Sequence, residues 1–65
     1  MLPHQQRVVD EKTELDDKLT KLTAFFSNSI FLNLDSAEQV RLQTQAKHMQ
    51  GYSDVLGERI VAFKG

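Results

Sequence analysis

Apolar residues recur at steps of three and four along two long stretches of this chain. Val8, Leu15, Leu19, Leu22 and Phe26 make the first stripe; Leu42, Ala46, Met49, Leu56, Ile60 and Phe63 make the second. That spacing gathers each set on one side of an α-helix. The pattern predicts an all-α fold, an antiparallel helical hairpin forming a single domain over 1–65. Its helices should cover about 3–27 and about 36–63, with 28–35 as a connection that carries a short helical turn.

Local chemistry supports these limits. Pro3 suits a first helical turn, where its missing N–H costs nothing. No glycine or further proline follows before Ser27. Glu14 with Lys18 and Asp17 with Lys21 stand in the favourable acid-before-base order, which marks a solvated face. Lys12 falls inside the apolar stripe. An aliphatic stem under a solvated amine is the expectation for it, with a register-setting or ligand-facing role as alternatives. Ser27, Asn28 and Ser29 end the first helix, because short polar side chains compete for backbone hydrogen bonds.

Ile30, Phe31, Leu32 and Leu34 form a dense apolar patch, expected to plug one end of the hairpin. Asp35 and Glu38 read as a capping box opening the second helix. Gly51 and Gly57 each cost about 1 kcal/mol against alanine inside a helix. Gly57 lies one turn past Ser53, so a small-residue face for close approach of another helix, or a tolerated kink, is expected there.

A two-helix hairpin buries little, and chains of 65 residues usually need a disulfide, a metal or self-association to supplement the core. Cysteine is absent, and His4 and His48 lie in different segments, so no metal or other cofactor is expected. Oligomerisation into a helix bundle remains. The eight basic and nine acidic residues leave a formal charge of −1, too little positive charge for the basic face that duplex nucleic acid calls for. No apolar run reaches the roughly 20 residues that span a bilayer, and the N-terminus lacks a signal-peptide core. A soluble cytoplasmic protein is expected.

Beside the main stripe of the second helix runs another row: Gln45, His48, Tyr52, Val55 and Arg59. It joins an aromatic plane, a guanidinium, an imidazole and an amide. Those groups suit a base stacked on Tyr52 with a phosphate held by Arg59. They equally suit an interface with protein, where Tyr and Arg are preferred anchors. These five residues are the candidate binding site, for a partner or a ligand. No catalytic group is expected. His48 lacks a positioned nucleophile, Asp10, Glu11 and Glu14 share one solvated turn, and the three glycines are too scattered for a phosphate loop. A short basic recognition helix of the helix-turn-helix kind is also missing.

Two stretches carry a resemblance. They are Pro3-His4-Gln5-Gln6-Arg7-Val8-Val9-Asp10-Glu11-Lys12 with Leu15, and Met49-x-x-Tyr52-Ser53-x-Val55-Leu56-Gly57-x-Arg59-Ile60. In them the chain resembles a family of small tailed-phage and prophage accessory proteins, related to a crAss-like phage protein. The resemblance implies a product made in the bacterial host cytoplasm and brings no catalytic residues with it. The expected function is non-enzymatic: a homo-oligomer that binds and inhibits a host or anti-phage defence component. The alternatives are an oligomeric sponge that sequesters a cyclic-nucleotide defence signal, by analogy with other helical phage proteins, and a purely structural assembly module.

Overall fold

The computed structural model of the chain describes residues 1–63. It holds helix α1 over Pro3–Phe25, a short α2 over Ser29–Leu32 and α3 over Ser36–Val61, with no strand among the described residues. Pro3 occupies the first turn of α1, where the side chain of Gln5 turns back to accept the Leu2 N–H at 3.0 Å. The helix ends at Phe25, just ahead of the polar break. There the Ser27 hydroxyl donates to the Ala24 carbonyl at 3.1 Å, drawing off an acceptor that the helix leaves open.

Asn28 then caps α2, accepting the Ile30 N–H at 2.8 Å. Of the apolar patch, Phe31 is the plug. Its buried ring meets Phe25 edge-on at 5.8 Å and Phe26 at 5.0 Å between centroids, while Ile30 and Leu32 stay exposed. Gln39 of α3 secures the turn. Its amide nitrogen lies 3.0 Å from the Phe31 carbonyl, 3.2 Å from that of Leu32 and 3.1 Å from that of Leu34. Asp35 opens α3 by accepting the Glu38 N–H at 2.7 Å. The capping box is only half formed, because the Glu38 carboxylate turns to Arg41 at 2.9 Å instead of reaching back.

α1 and α3 pack along their length. Six extended residues and the four of α2 reach at most about 27 Å, short of the roughly 35 Å of α1. A parallel return is therefore out of reach, and the helices run antiparallel. Between them lie the two sequence stripes. Val8, Leu19, Ala46 and Leu56 are buried; Leu15, Leu22, Phe26, Leu42, Met49, Ile60 and Phe63 are partly covered.

The resulting rod measures 49 × 14 × 13 Å, a single seam of side chains thick. Only Leu56 among the large side chains is wholly enclosed. Exposed apolar groups remain at Leu2 and Val61, at Ile30, Leu32 and Val40, and midway along α3 at Tyr52 and Val55. No helix among the described residues is long and apolar enough to cross a membrane.

Candidate functional site

The seam divides the surface of α3 into two flanks. At about 100° per residue, Gln45, His48, Tyr52, Val55 and Arg59 fall within about 80° of arc on one of them, and at 1.5 Å per residue they extend about 21 Å. All five are exposed, Tyr52 by 46% and Val55 by 51%. Gln45 donates weakly to the Met49 sulfur at 3.9 Å, which leaves its carbonyl oxygen uncommitted. Arg59 stands in the last turn, where a cation complements the helix dipole, and makes no ion pair among the described residues. Asp54 and Glu58 turn to other sides of the helix, so no carboxylate interrupts the row. The flank is open to an anion.

The other flank carries a groove of about 480 Å³ between the helices. At its floor the Lys12 ammonium donates to Asp16 at 2.7 Å and, across the seam, to the Ser53 hydroxyl at 3.1 Å. Ser53 in turn donates to the other Asp16 oxygen, closing a three-membered network over two helices. Sequence reading missed this cluster. Periodicity describes one helix at a time, and Lys12 and Ser53 stand 41 positions apart. The one available signal was a cation inside an apolar stripe, and its resolution is a buried hydroxyl and not open water.

Gly57 completes the arrangement. A β-carbon there would lie 3.4 Å from Lys12 Cε, so the small residues at 53 and 57 make room for the stem of Lys12. The close approach on this face is by a side chain of α1, while Gly51 has nothing within 4 Å.

Protonation follows from these contacts. The Lys12 hydrogen bond, then that of Ser53, holds the Asp16 carboxyl below its ordinary 3.8 against the opposing effect of desolvation. The network is not a nucleophile with its base. Lys12 donates in both contacts and has no lone pair for the serine proton, and Ser53 is only 2% exposed. With Asp54 on its rim, the groove sets two carboxylates against one ammonium, which disfavours an anion. Among the described residues no group of three His, Cys, Asp or Glu side chains is placed to hold a metal.

Of the ion pairs expected along α1, Asp17 and Lys21 meet at 3.0 Å. Glu14 and Lys18, both exposed, make none among the described residues. Such contacts gain tenths of a kcal/mol at best and compete with side-chain freedom.

The sequence as a whole has relatives. The family profile described as Sequestin matches residues 2–62. The chain belongs to the Sequestin family. It is also 36% identical over 64 residues to a protein of Enterobacteria phage T4, described as an uncharacterized 7.5 kDa protein in the denB-rIIB intergenic region. The match covers 98% of this chain and 100% of that relative. No solved structure matches. The expectation of a small phage-protein family holds at this level; the match is to Sequestin and a T4 protein, not to a crAss-like phage protein.

Proposed function

We propose that this Sequestin-family chain works by capture and not by catalysis. It is a non-enzymatic homo-oligomer that acts in the bacterial host cytoplasm and withholds a component of the host or of its anti-phage defence. The observation that carries this reading is the flank of α3 where Tyr52, Val55 and Arg59 stand exposed without a carboxylate among them. A half-exposed phenol ring offers a stacking plane, and the guanidinium, unpaired among the described residues, offers planar two-pronged recognition of phosphate. The opposite flank repels the same ligand. Taken in its plain sense the family's name fits a sequestering role, and the chemistry of the row favours a small nucleotide signal such as a cyclic nucleotide.

A protein target is the second reading, favoured by the same Tyr and Arg as interface anchors. Titration calorimetry with a panel of cyclic nucleotides tests the first. Arg59→Ala should abolish binding with helicity intact, affinity should fall as salt rises, and the nucleotide should be recovered chemically unchanged. Undiminished binding by Arg59→Ala would remove the row from the site. A stable host protein recovered from infected cells, with no nucleotide in the denatured eluate, would transfer the function to the second reading. Virion components alone would make it an assembly module.

A further inference from the structure

One convex helix face cannot enclose a ligand, because small-molecule sites are concave. A wall has to come from elsewhere, and the row itself shows from where. Its positions 45, 48, 52, 55 and 59 advance by three, four, three and four, so they read alike in both directions about Tyr52. A helix face with that symmetry is complementary to itself when turned by half a revolution, as a two-fold interface requires.

We infer that two copies of the chain pair through this row, α3 against α3 in antiparallel, about a two-fold axis at Tyr52. The inference rests on the capture reading for its ligand but not for its geometry. Each Tyr52 then faces the partner's Tyr52. Each His48 lies beside the partner's Val55, and each Arg59 meets the partner's Gln45, whose carbonyl oxygen is free to accept from the guanidinium. The two exposed apolar groups, Tyr52 and Val55, are covered at the centre. Two equivalent clefts result, each made of Arg59 and Val55 of one copy with Gln45 and His48 of the other, so neither is complete in a single chain.

Charge decides the direction. A parallel pairing would stack Arg59 on the partner's Arg59. The antiparallel one separates them by about 21 Å along the axis at 1.5 Å per residue, well beyond the ~8 Å screening length of physiological salt. The groove flank stays outside, with its carboxylates away from the clefts.

Because the chain has no cysteine, single substitutions read the interface directly. All the positions chosen are exposed, so each variant should keep its helicity. Under mild oxidation Tyr52→Cys should link to itself, doubling the intact mass in a manner reversed by reductant, since only the axis brings like positions within disulfide reach. Gln45→Cys and Arg59→Cys should each keep a single-chain mass alone and link to one another when mixed; this arm preserves Tyr52. Asp54→Cys, on the opposite flank, should not link.

Failure of both Tyr52→Cys and the mixed pair to double in mass would overturn the interface. So would linkage of Tyr52→Cys only with Asp54→Cys, which would mean that the row docks in the groove of the next copy. Self-linkage of Asp54→Cys to the same extent as Tyr52→Cys would reduce the contact to collision and overturn it equally. If the links form as expected and no nucleotide binds, the capture reading falls and the interface stands.

Discussion

Lys12 brings its ammonium to the one hydroxyl that α3 buries, and Asp16 holds both ends of the arrangement together. The stability this network adds depends on the Asp16 charge. Because its folded pKa is depressed, the contribution is present in full above the unfolded value near 3.8 and is lost as pH falls through the lower folded value. Thermal melts in acid should therefore show Asp16→Asn less sensitive to pH than the parent over that window. Parallel acid profiles would detach Asp16 from the seam. Leu56 lies beside Ser53 on the same stripe and is fully enclosed. Leu56→Ala should cost about 2–5 kcal/mol by chemical denaturation, whereas Tyr52→Ala, at a half-exposed position, should cost far less to the fold of the single chain. Equal losses would mean that the buried and exposed faces of α3 have been exchanged.

The elements themselves were largely legible from residue spacing. Steps of three and four located α1 and α3, Pro3 marked where the first begins, and Asp35 marked where the second begins. Details that depend on which of two partners a side chain selects were not legible. Glu38 had a backbone N–H and Arg41 both within reach, and chose Arg41. Phe31 turned inward while Ile30 and Leu32 did not, because a four-residue helix can aim only one of three adjacent apolar groups at the hairpin end. The exposed row was legible as an arc of residues, since an arc needs only the helix period. The groove was not, since it needs the register between two helices. Glycine supplies a test at this scale. Gly51 has open space around it, so Gly51→Ala should raise stability by about 1 kcal/mol through helix propensity alone. Gly57→Ala should gain less, because its new methyl meets the stem of Lys12 at 3.4 Å. A larger gain at 57 than at 51, read from thermal midpoints, would contradict the placement of Lys12.

A rod 49 Å long and 14 Å across has little interior for its length. Its buried apolar set is Val8, Leu19, Phe31, Ala46 and Leu56, of which the alanine contributes least. Full burial of a large apolar side chain contributes about 1.5–3 kcal/mol, while each ordered residue costs about 1–2 kcal/mol in backbone entropy alone. The seam therefore leaves a narrow margin. The apolar groups that would widen it, Leu2, Val61, Ile30, Leu32, Val40, Tyr52 and Val55, are at the surface, where only another chain can cover them. If association supplies that cover, folding and assembly are linked by mass action, and the melting midpoint must fall as the protein is diluted. Circular dichroism melts over a hundredfold range of concentration, paired with sedimentation masses at each, should show the midpoint and the mass declining together. The Arg59→Ala chain should start that decline at a higher concentration than the parent, because its guanidinium no longer reaches the partner's Gln45. A single-chain mass at every concentration, with one unchanged cooperative melt, would show that this thin seam suffices by itself. It would also return the apolar residues of the row to a role in binding something other than a second copy.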